Sequence, residues 1–169
     1  IVEFIRKGII WEEWLENFKE GLAAPGGKDK MLFDLTITGP GMFSIKDLFD
    51  LSLELDVRIE TKIMFAFHPD IIFSPFAWPK HILTRKIDEL LEYMEPIATH
   101  KQFTLINTLR EMRNRPSFEE EYPEQFVQGK KNGKGFQDRL DEIRDEKITI
   151  ADIYKADDEL YEWWKGEEK

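Results

Sequence analysis

The chain predicts an α/β fold with two adjacent parallel strands and a mostly helical C-terminal region. Three observations carry this. Residues 31–38 alternate, with Met31, Phe33, Leu35 and Ile37 on one face and Leu32, Asp34, Thr36 and Thr38 on the other. Residues 57–67 alternate again, Val57, Ile59, Thr61, Ile63, Phe65 and Phe67 against Arg58, Glu60, Lys62, Met64 and Ala66. Between them the period changes to that of a helix over 44–55, through Ile45, Leu48 and Phe49. A strand–helix–strand unit of this kind is a parallel crossover, since a tight hairpin needs no helix.

The other elements follow in order. Trp11, Trp14, Leu15, Phe18 and Leu22 recur at helical spacing, with Glu12, Glu13, Glu16 and Lys19 opposite, and Pro25-Gly26-Gly27 breaks the helix. Gly39-Pro40-Gly41 ends the first strand. Ser44, with Asp47 three residues on, has the pattern of a capping box. Pro79 suits the first turn of a helix over 79–95, whose apolar stripe is Ile82, Leu83, Ile87, Leu90, Leu91 and Met94. A further helix spans about 101–113 through Phe103, Ile106, Leu109 and Met112, and Pro116 stops it. Residues 117–135, with Glu119-Glu120-Glu121, a proline and Gly129-Lys130-Lys131-Asn132-Gly133-Lys134-Gly135, are expected to form a flexible surface loop. A charged helix over 136–146 and an aromatic tail follow. No internal repeat is present.

Composition bounds the function classes. The 169 residues suit one ordinary domain. With 24 basic against 34 acidic side chains, a net charge of −10, the chain lacks the basic excess of a nucleic-acid footprint. No apolar run approaches a membrane span and no signal peptide is visible, so a cytoplasmic protein is expected. The absence of cysteine excludes disulfides, thiol catalysis and any Cys-ligated cluster built from this chain alone. The chain opens on Ile1 and reads as a fragment, so that a motif it lacks would lie upstream.

Few residues suggest chemistry. The loop His68–Lys80 leaves the end of the second strand, carries Pro69, Pro75 and Pro79, and is expected to expose Trp78 where α/β proteins keep specificity. His68 and Asp70 are common metal-ligand types, but no third ligand falls at useful spacing, and His81 and His100 are scattered, so no metal is expected. The lysine–glycine segment lacks P-loop spacing. Trp163-Trp164 either packs the tail on its own domain or docks a partner. Asp34, Thr36 and Thr38 near a strand's C-terminal end either face a ligand or line a water-facing strand side. No catalytic residue is assigned.

The segment order resembles radical S-adenosylmethionine enzymes of the twitch branch, close to the SPASM group and frequent in phage and environmental sequences. Ile5-Arg6-Lys7-Gly8 before a helix with Trp11, Trp14, Leu15 and Asn17 resembles the stretch after their fourth strand. Residues 31–38, ending Thr36-Ile37-Thr38, resemble the fifth strand, and 57–67 the sixth. Pro69, the Ile71–Pro75 run and Trp78-Pro79-Lys80 resemble the linker out of the barrel; Asn114-Arg115-Pro116 and Asp141–Asp145 also fit.

The resemblance implies a fragment of a parallel (β/α) partial TIM barrel: residues 1–78 as C-terminal βα units and 79–169 as a helical extension. It implies S-adenosylmethionine and a [4Fe–4S] cluster in the full-length parent, with no cluster ligated by this chain and no auxiliary-cluster cysteines. A peptide or protein substrate is implied, with the fragment inactive alone. Thr36 and Thr38, Phe67 with His68, and Arg6 are the cofactor-pocket residues so implied. Thr36 and Thr38 would hydrogen-bond a ribose or adenine edge, Phe67 would stack, and Arg6 would pair with a carboxylate. The alternative is a non-catalytic acidic α/β interaction module using the Trp78 loop or the Trp163-Trp164 tail. Oligomeric state is not encoded in any motif here.

Overall fold

A computed structural model describes residues 8–65, 71–143 and 148–166. Helix α1 (Trp11–Ala23) lacks a side-chain cap, but Glu12 and Glu13 complement its N-terminal dipole. Its apolar stripe is an aromatic series running inward: Trp11 stacks on Trp14 at 5.1 Å, Trp14 on Phe18 at 5.1 Å, and Phe18 meets Phe33 at 4.8 Å. After the helix the chain doubles back so tightly that a Cβ at Gly27 would lie 2.0 Å from the Gly21 carbonyl oxygen. Only glycine fits there.

Strands β1 (Leu32–Ile37) and β2 (Arg58–Ile63) pair in parallel, in register from Leu32 opposite Arg58 to Ile37 opposite Ile63. Helix α2 (Ile45–Glu54) connects them, as the change of period predicts. The expected strand 57–67 is shorter: pairing closes with the Met64 N–H on the Ile37 carbonyl at 3.0 Å, and residues 66–67 lie outside the described residues. Ser44 does not cap α2. It ends the 3₁₀ turn Pro40–Ser44 in helical backbone, and its side chain makes no capping bond.

The end of α2 is a Schellman turn. The Val57 N–H bonds to the Ser52 carbonyl at 3.0 Å and the Asp56 N–H to the Leu53 carbonyl at 3.2 Å, which puts Asp56 at φ 55°. Lys101 holds this turn, its ammonium 2.7 Å from both the Asp56 carboxylate and carbonyl oxygens. That hydrogen bond and charge keep the Asp56 carboxyl below its ordinary pKa. Beside it, buried Gln102 donates to Ser52 Oγ at 3.1 Å and to the Val57 carbonyl at 3.3 Å. Its Oε1 accepts from the Thr99 N–H and hydroxyl, so both ends of the amide are satisfied.

Helix α3 (Lys80–Met94) buries the stripe read from sequence; α4 (Phe103–Asn114) buries Ile106, Leu109 and Met112 of its stripe together with Leu105, while Phe103 at its first turn is exposed. Lys80 caps α4 from the side, its ammonium donating to the carbonyls of Arg113 and Arg115, and burial pushes its pKa down.

The expected flexible loop at 117–135 is helical instead. Ser117 opens a short turn, Phe118–Glu121, with a capping box to Glu120, and Pro123 starts the long helix α5 (Pro123–Ile143). Phe126, Gly129, Lys130, Gly133 and Gln137 are its buried residues, at the spacing of one helical face. Glycine disfavours a helix locally, but here this face packs on the 3₁₀ turn Ile71–Phe73, and tertiary burial outweighs propensity. Helices α6 (Ile150–Tyr154) and α7 (Asp158–Lys165) complete the chain. One apolar cluster joins β1, β2 and residues of every helix from α1 to α7. The architecture is mixed α/β, mostly helical, with two parallel strands.

Candidate functional site: the open sheet face and the closed strand end

Parallel sheets are ordinarily covered on both faces. This one is two-sided in chemistry. Phe33, Ile37 and Ile59 point into the core, where Phe33 meets Phe18 of α1 and the Thr61 hydroxyl pairs with Thr108 of α4 at 2.6 Å. The opposite face carries Asp34, Thr36, Arg58, Glu60 and Lys62. The register puts Asp34 beside Glu60 and Thr36 beside Lys62. Lys62 Nζ reaches Asp34 Oδ2 at 2.7 Å, and Arg58 Nε reaches Glu60 Oε1 at 3.1 Å. These exposed pairs add little stability. Their importance is chemical: carboxylates, a hydroxyl and an ammonium share one surface.

The two threonines fall in different places. Thr36 is exposed on the open face. Thr38 is buried, its Oγ1 accepting the Gly41 N–H at 3.0 Å and its carbonyl the Met42 N–H at 3.1 Å, so it braces the 3₁₀ turn. Phe67, His68 and Arg6 lie outside the described residues.

Beyond Ile37 the strand end is filled. The Gly39 N–H bonds to the Phe73 carbonyl at 2.6 Å. A Cβ on Gly39 would meet Trp78 Nε1 at 2.9 Å and the Tyr154 hydroxyl at 3.1 Å. Trp78 is 1 % exposed and Tyr154 0 %. The indole N–H of Trp78 donates to the Tyr154 oxygen at 3.1 Å, the rings cross nearly at right angles, and Phe43 packs on both. Burial pushes the Tyr154 hydroxyl pKa up. Trp78 is therefore not the exposed specificity residue that its loop suggests. An indole is large enough to reach the core from a loop, and a tyrosine oxygen far along the chain satisfies its N–H.

The tail tryptophans also pack on their own protein. Trp164 is buried against Tyr154 at 5.5 Å, while Lys130 Nζ lies 3.9 Å from the Trp163 ring centre. Lys134 Nζ donates to the Trp164 carbonyl at 2.9 Å. Between α3 and α7 a shallow depression of about 400 Å³ is lined by Arg85, Lys86, Glu89, Asp157 and Glu159. Carboxylates outnumber its basic groups, Asp158 also lining it, and the basic side chains are paired: Arg85 Nη2 lies 3.1 Å from both Asp157 and Glu159, and Lys86 Nζ 3.5 Å from Glu89.

Among the described residues no group of three or more His, Cys, Asp or Glu could hold a metal ion. Nor, among them, is any helix long and apolar enough to cross a membrane. Lys62 and Glu60 escaped the sequence reading because only the register shows that they flank Thr36 and Asp34. Tyr154 escaped it because nothing local links it to Gly39 and Trp78. No protein-family model, no curated protein and no solved structure matches this chain.

Proposed function

We propose that this chain is the C-terminal portion of a radical S-adenosylmethionine enzyme of the twitch type, acting on a peptide or protein in the cytoplasm. In this reading β1 and β2 belong to a partial parallel barrel and residues 79–169 form the extension beyond it. The observation that carries the reading is the two-sided sheet. Helices α1 and α4 touch one face, and the other offers Asp34, Thr36, Glu60 and Lys62. A parallel barrel likewise carries its helices on the outer face, and in a partial, open barrel the polar face would be the inner one.

The chain has no cysteine, so cluster ligands would come from the upstream part of the parent. Thr36, Asp34 and Lys62 fit the hydroxyl, amine and carboxylate groups of S-adenosylmethionine, one donor or acceptor type each. When bound, the cofactor and cluster supply the radical chemistry; these residues bind and orient. The test is calorimetric titration of the full-length protein with S-adenosylmethionine. Thr36→Val is expected to weaken binding by about 1 kcal/mol, roughly fivefold, the net value of one hydrogen bond. Unchanged affinity with the fold intact removes Thr36 from the site, and a parent without a three-cysteine loop ends the reading.

A second reading, an acidic α/β interaction module, is favoured by the filled strand end at Gly39, Trp78 and Tyr154. Its docking surface would be the open sheet face, since Trp78 is buried. Full-length protein that binds no S-adenosylmethionine supports it.

A further inference from the structure

We infer that Arg115 and Phe65 form a subsite for a carboxylate carried on an apolar body, just beyond the C-terminal end of β2. This deepens the reading above and rests on it only for the peptide that would carry the carboxylate. Parallel sheets receive ligands beyond the C-terminal ends of their strands. At β1 that position is filled by Trp78 and Tyr154, whereas at β2 the Phe65 ring stays 44 % exposed. Its inner side is held, meeting Phe76 at 5.0 Å and Phe118 edge-on at 5.8 Å, both of them buried. A phenyl ring is thus fixed in place with part of its surface left to solvent.

The Arg115 guanidinium lies 4.8 Å from the centre of the Phe65 ring and 5.7 Å from that of Phe76. Stacking occupies the flat face of a guanidinium and leaves its in-plane N–H donors pointing outward. Elsewhere in this acidic chain such donors are spent: Arg58, Arg85, Arg110 and Arg113 each lie within 3.1 Å of a carboxylate. Among the described residues the Arg115 guanidinium has no such partner. Glu120 and Glu121 follow closely, but Glu120 accepts from the Ser117 N–H and hydroxyl and Glu121 from the Tyr122 hydroxyl.

The backbone beneath the guanidinium is fixed as well. The Arg115 N–H bonds to the Met112 carbonyl at 3.2 Å, and the Arg115 carbonyl accepts from the Lys80 ammonium, which brings a second positive charge close by. A planar fork of unspent donors takes a carboxylate bidentately. The exposed part of Phe65, beside the fork, takes the apolar group next to that carboxylate. The carboxylate can come from a peptide's C-terminus or from an acidic side chain.

The test titrates the full chain by NMR, reading the Phe65 amide and the Arg115 Nε–H. N-acetylphenylalanine offers a C-terminal carboxylate, acetyl-aspartyl-phenylalaninamide a side-chain carboxylate, and N-acetylphenylalaninamide neither. At least one acid is expected to move both signals and to bind about tenfold more tightly than the neutral amide, the worth of a hydrogen bond to a charged group. Which acid does so identifies the source. Arg115→Gln is expected to abolish the preference, and Arg115→Lys, which lacks the fork, serves if the glutamine variant fails to fold. Unmoved signals, equal affinity for acids and amide, or a preference that survives the substitution overturns the subsite. Carboxylate binding in a protein without affinity for S-adenosylmethionine leaves the subsite standing and removes the proposed cofactor; S-adenosylmethionine binding without a carboxylate preference does the reverse.

Discussion

The indole N–H of Trp78 donates to the phenolic oxygen of Tyr154 at 3.1 Å, across 76 positions of sequence. This bond joins the loop after β2 to the C-terminal helices, over the glycine that ends β1. A buried donor that loses its acceptor costs its full desolvation. Tyr154→Phe keeps the ring and removes only the oxygen, so it is expected to destabilise the fold by about 1–3 kcal/mol in urea unfolding. Tyr154 also predicts an alkaline limit. Its folded hydroxyl holds its proton to higher pH than the unfolded one. Stability is then full below the ordinary tyrosine pKa of about 10 and falls as pH rises above it. Tyr154→Phe is expected to flatten that alkaline decline; an unchanged slope assigns it to other groups.

Helix α5 can be tested at a position that touches nothing. A Cβ at Gly135 has no neighbour within 4 Å, and the residue is exposed inside the helix. Gly135→Ala is expected to stabilise the protein by about 0.5–1 kcal/mol, the helix-propensity difference. In a flexible loop the same change gives no such gain. Thermal unfolding and far-UV circular dichroism decide between them.

Asp56 opposes two effects. Its left-handed backbone costs about 1 kcal/mol relative to glycine. Its carboxylate pairs with Lys101 at 2.7 Å, an exposed contact that solvent screens and that adds little. Asp56→Gly is expected to be neutral or slightly stabilising. Asp56→Ala loses the pair and keeps the strain, and so is destabilising. Denaturation midpoints in the order Gly, Asp, Ala, from most stable down, are the expected result.

Gln102 ties the α2 terminus to the turn before α4 through four hydrogen bonds of one amide. Gln102→Leu preserves volume and leaves the buried Val57 carbonyl without this donor. A loss of about 1–3 kcal/mol is expected in urea unfolding. A loss below 0.5 kcal/mol would mean that water replaces the amide, roughly at the cost of one ordered water.

What the sequence determined by itself is local and periodic. Alternation over 31–38 and 57–67 specifies two strands, of which the structure forms Leu32–Ile37 and Arg58–Ile63, and apolar stripes from Trp11 to Leu22 and from Ile82 to Met94 specify helices. A change of period between two strands also specifies parallel pairing, because it dictates the connection. Tertiary structure decided the rest. Lys130 and the glycines of α5 carry no apolar signal, yet they are buried because the helix packs on Ile71–Phe73 and Trp163 covers the Lys130 ammonium. Thr36 and Thr38 are two residues apart, but one stays on the open face while the other is drawn into a turn by the Gly41 N–H. Trp78 is buried because Tyr154 supplies the oxygen its indole needs. Contacts across dozens of residues have no period to betray them; they depend on which surfaces meet once the local elements exist, and that is set by packing.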